Sequence, residues 1–367
     1  MRIVYVFTSL AMGGAERLGL ALAGRMAGRG HTVALLVLKP RLPQECPTAL
    51  RVVSLGMDGT PLSSLRGLAE ARRFVREFRP DLLHSHSFHA NMAARLLNLL
   101  VPVPVVVSTV HNVYEGGWAR MMAYRLTDCL SRRTVAVSRA AALRYVRLRA
   151  VPRHKCAMIS NGIDLAEFAP RAGRRAETRT ALDAGEQFIW LTAGRIVPAK
   201  DYPNLLRAFA RLRAARPDAR LWVAAEAAGA EFDRLTGLAA ELKLTGSVRW
   251  LGLRRDMPAL LDAADGFVLA SAWEGMPLAV GEAMAMEKPV VATSAGGVGE
   301  LLGQCGLLVP SAAPHALASA MEALMRKSIE DRLALGRAAR ERIAAGFNME
   351  AKADEWEALY RELTERG

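Results

Sequence analysis

Residues 3–38 read IVYVFTSLAMGGAERLGLALAGRMAGRGHTVALLVL. The run at 3–7 is β-branched and aromatic without a polar break, the pattern of a strand buried on both faces. Behind the pair Gly13–Gly14, apolar residues recur at helical spacing to Gly30, and a second buried run, HTVALLVL, follows at 31–38. Strand, helix and strand within some thirty-odd residues make a βαβ unit, and the two strands of such a unit are parallel.

The same alternation continues outward. PDLLHSH at 80–86, PVVVSTVHN at 104–112 and RTVAVSR at 133–139 read as strands, with helices over 64–79, 91–100 and 119–131. A second series begins with FIWLTAGRI at 188–196 and continues through ARLWVAA, VRWLG, GFVLAS, PVVATSAGG and GLLVP, with helices over 203–216, 230–243, near 256–264 and from about 279. Repeated alternation of this kind implies α/β architecture with doubly wound parallel sheets. A chain of 367 residues is long for one core and suits two domains. The expected division is 1–168 and 169–349, with a hinge near 165–175 in which RAGRR at 171–175 serves as linker. The last helix carries Trp356, Leu359, Tyr360 and Leu363 at helical spacing, so 350–367 is expected to pack back on the first domain.

Apolar residues make up 51% of the chain, enough for sizeable cores. MRIVYVF lacks the small-residue cleavage site of a secretory leader. The longest apolar stretch, LLNLLVPVPVVV at 96–107, is too short to span a bilayer and is broken by Asn98, Pro102 and Pro104. Cys46, Cys129, Cys156 and Cys305 are scattered, which fits free thiols in a reducing cytoplasm. A cytoplasmic protein, at most peripheral on the inner membrane face, is expected.

The net charge of +13 is lopsided. Residues 1–173 hold 24 Lys+Arg against 10 Asp+Glu, a balance of +14, whereas 174–367 hold 25 against 26. Nucleic acid, an anionic membrane surface, a phosphate-bearing acceptor, or plain solvation of an Arg-rich chain each fit that excess.

Several motifs sit where strands end. Gly13 and Gly14 open a helix, whose N-terminal amides suit a phosphate, although the spacing is not the dinucleotide fingerprint. HSHSFH places His84, His86 and His89 at a strand end, either as metal ligands or as residues facing a cleft. His111 in STVHN, and Asn161 and Asp164 in SNGID, are turn residues or contacts to a sugar hydroxyl. Arg195 and Lys200 share the loop AGRIVPAKDYP; two cations at the mouth of a parallel sheet suit a diphosphate, or form an ordinary surface pair. In WEGMPLAVGEAMAMEKP at 273–289, Glu274 ends a strand and Glu282 lies in the following helix. The amides of Met276, Leu278 and Ala279 fall between them, placed to hold phosphate oxygens. Paired carboxylates also suit acid–base hydrolysis of a glycoside, and the spacing alone leaves that reading open.

Taken in order, GGAE, VHN, VSR, NGID, GRIVPAKDYPNLLRAF, EGMPLAVGEAMA, PVVATSAGGVGELL and GLLVP resemble the retaining glycosyltransferases of family 4 over nearly the whole chain. The resemblance implies a GT-B fold, two facing Rossmann-like domains with a deep interdomain cleft. It implies a UDP- or GDP-linked sugar as co-substrate, no cofactor or metal, and no nucleic-acid partner. Arg195 and Lys200 would then hold the diphosphate, Gly14 would approach the phosphate, and Glu282 would bind the ribose hydroxyls. Glu274 would align the donor sugar, and His111 would reach a sugar hydroxyl. A glycan or lipid-linked acceptor in polysaccharide or lipopolysaccharide synthesis is implied, with the basic first domain toward an anionic membrane. The absence of D-x-D agrees with metal-independent chemistry. One stretch departs from the family: where a glycine pair is usual, this chain has LWVAAEAAGAEF with Gly229 alone, so the base-binding edge is unassigned. A nucleotide-sugar epimerase and a non-catalytic donor-binding subunit are the alternatives.

Overall fold

The computed structural model describes residues 1–10, 13–39 and 50–365. The chain divides into two compact units, Met1–Gly162 with Glu350–Gly367, and Ile163–Met349. Residues 163–168, expected in the first domain, thus group with the second unit.

Unit 1 contains β1 (Arg2–Phe7), β2 (Thr32–Val37), β3 (Arg51–Ser54), β4 (Leu82–His86), β5 (Val105–Val110), β6 (Arg133–Ala136) and β7 (Cys156–Met158). They form one parallel sheet in the order β3-β2-β1-β4-β5-β6-β7. The strands grow outward from β1 to β3 on one side and from β4 to β7 on the other. The β1/β4 boundary is therefore a switch point, the place where open α/β sheets bind ligands at their strand C-termini. Tyr5 lies opposite His84 across this boundary, and His86 lies opposite Thr109 of β5. β4 and β5 are buried along their whole length; β5 shows this as a β-branched run, whereas β4, LLHSH, buries His84, Ser85 and His86.

Local signals set the helix boundaries. Pro61 opens the helix Pro61–Phe78, and Thr60 caps it by accepting from the Ser63 amide. RTVAVSR is only partly strand: Ser138 caps a new helix, Arg139–Arg147. The final helix, Met349–Glu365, buries Trp356, Tyr360 and Leu363 in unit 1. Tyr360 Oη lies 3.1 Å from Tyr5 Oη and 2.6 Å from His84 Nδ1. Around this core, Arg25 meets Glu350 at 2.6 Å, and Arg29 meets Asp354 at 2.7 Å and Glu357 at 2.9 Å.

Unit 2 contains β8 (Phe188–Ala193), β9 (Ala219–Ala224), β10 (Val248–Trp250), β11 (Gly266–Leu269), β12 (Val290–Thr293) and β13 (Leu307–Val309). The sheet is parallel, in the order β10-β9-β8-β11-β12-β13, so its switch point lies between β8 and β11. Trp190 fills the core, and Gly266 opposite leaves room for its ring, since a Cβ there would come within 2.8 Å. The expected linker 171–175 is not free. Its Arg174 pairs with Asp262, and Arg175 meets Asp265 at 2.6 Å as the helix Arg174–Ala181 begins. The two ends of this unit are neighbours: the Ile163 amide donates to Phe347 O, and the Met349 amide donates to Ile163 O.

Among the described residues, no helix is long and apolar enough to cross a membrane. Cys129, Cys156 and Cys305 are free thiols; Cys46 lies outside the described residues.

Candidate functional site

Three loops meet at the switch point of unit 2. After β8 the backbone turns at Gly194, with φ +152°. The loop then carries Arg195, makes a short 3-10 turn at Pro198–Lys200, and reaches Asp201, which caps the helix Tyr202–Ala215 by accepting from the Asn204 amide. Tyr202 Oη donates to Gly194 O at 2.7 Å and pins the start of the loop. The loop after β11 is tied to it by the Ala272 amide donating to Ala199 O. The loop after β12 joins through Thr293 Oγ1 donating to Ser271 O at 2.6 Å, and through the Gly297 amide donating to Gly275 O.

These ties bring Lys200 and Glu274 together. Lys200 Nζ donates to Glu274 Oε1 at 2.6 Å, and Ser271 Oγ donates to the same oxygen at 2.6 Å. Glu274 is 7% exposed, so its charge is nearly withdrawn from water and depends on these partners. The sequence reading gave Lys200 to the diphosphate and Glu274 to the sugar; the structure joins them as one charged pair. Arg195 is exposed on the same loop, and its guanidinium meets no described hydrogen-bond or ion-pair partner.

Met276 is buried in the next stretch, and the helix Leu278–Ala285 begins at Pro277 without a side-chain cap. Its first amides, including those of Leu278 and Ala279, have no partner within the helix, and the dipole favours an anion there. Glu282 is buried one turn further on, at 4% exposure. Gly281 lets this helix approach closely, since a Cβ would come within 2.6 Å of Ile163 Cδ1. Cation, carboxylate pair and uncapped helix end together offer groups for a diphosphate and for vicinal hydroxyls.

In unit 1, Gly13 precedes the helix Gly14–Gly28, which has no side-chain cap, and Gly14 is exposed. Glu16 folds back over Gly13, where a Cβ would strike its carboxylate, so an anion approaching here meets a carboxylate of the same helix. Ala11 and Met12 of this loop lie outside the described residues.

His111 follows β5. Its Nε2 lies 2.9 Å from His86 Nδ1, and its backbone amide donates to Glu115 Oε1 at 3.1 Å. Burial pushes the His111 imidazole down to about 4, and burial holds His84 and His86 well below the usual histidine range. All three are therefore neutral near pH 7, and the His86–His111 contact needs one ring to donate and the other to accept. His84 uses both nitrogens, on Tyr360 Oη and on Thr109 Oγ1 at 2.7 Å. His89 is exposed on the helix Ser87–Leu100. Within HSHSFH, His84 and His86 are thus packed and hydrogen-bonded, and His89 stands apart from them. Among the described residues, no group of three or more His, Cys, Asp or Glu is arranged to hold a metal ion.

Other expectations resolve locally. Asp164 Oδ1 accepts from the amides of Ala166 and Glu167, which makes it a turn residue, and Asn161 is buried. In the divergent loop after β9, Ala227 and Ala228 are exposed, and Gly229 enters the next helix at φ +89°. Sequence reasoning passed over Ser271 and Gly194. Gly194 stands directly after β8 and Ser271 two residues after β11, and that position was the available signal.

Comparison with known proteins bears on both units. Residues 12–167 match the family Glycosyltransferase Family 4, and residues 174–342 match Glycosyl transferases group 1. The chain is 30% identical over 302 residues to a glycogen synthase of Mycobacterium tuberculosis (strain ATCC 25618 / H37Rv), covering 78% of this chain and 69% of that protein. It is 26% identical over 339 residues to the UDP-Gal:alpha-D-GlcNAc-diphosphoundecaprenol alpha-1,3-galactosyltransferase of Escherichia coli, covering 86% and 83%. The fold is similar to that of Anabaena Alr3699/HepE in complex with UDP and glucose. There the TM-score is 0.87 at 18% identity, over 99% of this chain and 100% of that one.

Proposed function

The chain belongs to glycosyltransferase family 4, and from that premise we propose a retaining, metal-independent enzyme. It moves a sugar from a UDP- or GDP-sugar to a glycan or lipid-linked acceptor, in cell-surface polysaccharide or lipopolysaccharide synthesis. The observation that carries the donor reading is the Lys200–Glu274 pair on the loops around exposed Arg195, with the uncapped helix Leu278–Ala285 at the same switch point. The Escherichia coli relative, by its name, takes UDP-Gal to a diphosphoundecaprenol-linked sugar, which favours a lipid-linked acceptor.

In the reaction, the bond from the anomeric carbon to the diphosphate oxygen breaks and a bond to the acceptor oxygen forms. The acceptor proton passes to the leaving phosphate. Arg195, Lys200 and the amides of Met276, Leu278 and Ala279 stabilise the charge that builds on the diphosphate. Glu282 binds the ribose hydroxyls, and Glu274, fixed by Lys200 and Ser271, aligns the sugar. His111, neutral at working pH, meets a sugar hydroxyl, and Gly14 meets a phosphate once the Glu16 carboxylate moves off the helix start. The excess of basic residues before 174 suits an anionic membrane surface.

The test is incubation with a panel of UDP- and GDP-sugars in EDTA, without acceptor. One donor should release free sugar slowly, and the first-formed anomer, read by NMR, should keep the donor's configuration. Inversion would end the retaining assignment. Conversion of a donor to its epimer would identify an isomerase. Silence with every donor would leave a donor-binding subunit.

A further inference from the structure

The helix Trp118–Leu126 buries only Met121 and Tyr124, whose ring meets Tyr145 edge-on at 5.4 Å. Its outward side is apolar, which is the reverse of a normal surface helix. Trp118 is 77% exposed and Leu126 72%. At 100° per residue, Trp118, Met122 and Leu126 fall within a sector of about 80°. Scattered single exposed leucines are ordinary; an exposed tryptophan and leucine two turns apart, with half-buried Met122 between them on one helix face, are a patch that calls for a partner.

The charge around the patch identifies that partner. Residues 116–163 contain ten Lys+Arg and one acidic residue, Asp128. Asp128 is buried and paired with Lys155 at 3.1 Å. Arg125 flanks the apolar sector, and the adjacent helix Arg139–Arg147 exposes Arg144 and Arg147 beside Leu143. Arg125 and Arg147 make no ion pair with any described residue. An aromatic and aliphatic tip ringed by uncompensated arginines has the composition of an element that lies in the headgroup layer, with its apolar side in the acyl boundary.

We propose that this face, centred on Trp118 and Leu126 and rimmed by Arg125 and Arg147, seats unit 1 on an anionic phospholipid surface. It deepens the membrane reading above and rests on it for its purpose, access to a lipid-borne acceptor. Electrostatic attraction brings the face to the bilayer, and partition of the tryptophan and leucine holds it there.

The test is sedimentation with vesicles of phosphatidylcholine alone, or of phosphatidylcholine mixed with phosphatidylglycerol. The protein should pellet with the mixed vesicles only and be released at high salt. Arg125→Ala and Arg147→Ala should each weaken binding about fivefold at low salt. Trp118→Ala with Leu126→Ala should weaken it about tenfold or more. Each variant should keep wild-type melting and wild-type donor hydrolysis in solution. Equal pelleting with both vesicles, or variants that bind like wild type, overturns the proposal. So does a solution dimer that Leu126→Ala disperses, which would give the face to a second copy, or binding to acidic polypeptides but not to vesicles. If vesicle binding follows the expected pattern but no donor is hydrolysed, the lipid face stands and the transferase reading fails.

Discussion

Lys200 and Glu274, 74 positions apart in the chain, are joined Nζ to Oε1 at 2.6 Å, with Ser271 Oγ on the same carboxylate oxygen. Arg195, five residues before Lys200, is exposed and has no described partner. The two cations of one loop therefore differ in what their removal does. Lys200→Met leaves a buried carboxylate with one hydroxyl donor and should cost about 3 kcal/mol of stability. Arg195→Met should stay within about 0.5 kcal/mol. Both should lower donor turnover by about 100- to 1,000-fold. Adding Glu274→Gln to Lys200→Met should restore the urea midpoint without restoring turnover. Equal midpoints for the two single variants would show that the pair carries no stability.

Gly194 has φ +152°, and a Cβ there would lie 3.1 Å from Lys200 Cε. Gly194→Ala should cost about 1–3 kcal/mol through backbone strain and also push the lysine stem off Glu274. Gly246, at φ +77°, has open space around it and precedes β10, at the strand end away from the site. Gly246→Ala should show the strain cost while keeping donor hydrolysis. A Gly194→Ala protein with normal turnover would separate this backbone position from the lysine.

Acid should loosen unit 1 in two windows. His84, His86 and His111 titrate below the ordinary histidine value of 6.5 when folded, so the unfolded chain binds more protons as pH falls beneath that value. Their contribution is complete above pH 6.5 and is lost as pH falls, toward about 4 for His111, at up to about 1.4 kcal/mol per pH unit for each. Glu357 is held at about 2, first by Arg29 and then by Arg361 and His31, so its share is present above 4.5 and lost as pH falls toward 2. Glu115, pushed up by burial, works in the opposite sense: its share is present at low pH and lost as pH rises through its folded value. Denaturation midpoints at pH 7, 6 and 5 should fall, and fall less for His86→Phe than for wild type. A flat profile over that range would mean that the histidines are not held neutral.

Tyr360→Phe removes the hydroxyl between Tyr5 Oη and His84 Nδ1, both buried, and should cost about 1–3 kcal/mol. Trp356→Ala, which opens a cavity beside His84, should cost about 3–5 kcal/mol. Loss of His84 proton protection in hydrogen-exchange NMR should accompany the first variant. An unchanged His84 signal would remove Tyr360 as its anchor.

The fold was largely legible because most buried parallel strands appear in sequence as runs rich in β-branched and aromatic residues; 3–7 and 105–110 are of this kind. The strands that escaped, β3 and β7, are short and half-exposed at the sheet edges, so no apolar run marks them. Lys200 and Glu274 were visible as chemistry-bearing residues, but their pairing was not. It arises because β8 and β11 are neighbours at a switch point although the chain passes through two other strands between them. His86 and His111 meet for a simpler reason: β4 and β5 are paired neighbours, and His111 follows β5 just past the residue opposite His86. Ser271 offered only a hydroxyl after a strand, a signal too common to single out.

Unit 2 is an insertion in unit 1: the chain leaves the first unit at Gly162 and returns to it at Glu350. On the ribosome, the first 162 residues therefore emerge without the helix that covers Tyr5 and His84, and they wait through the synthesis of 187 more before Trp356 and Tyr360 arrive. The inserted unit is continuous, and its entry and exit segments are hydrogen-bonded to each other, so it can close first. Maturation then runs from the middle of the polypeptide outward, and the N-terminal sheet is the segment that a chaperone would hold longest.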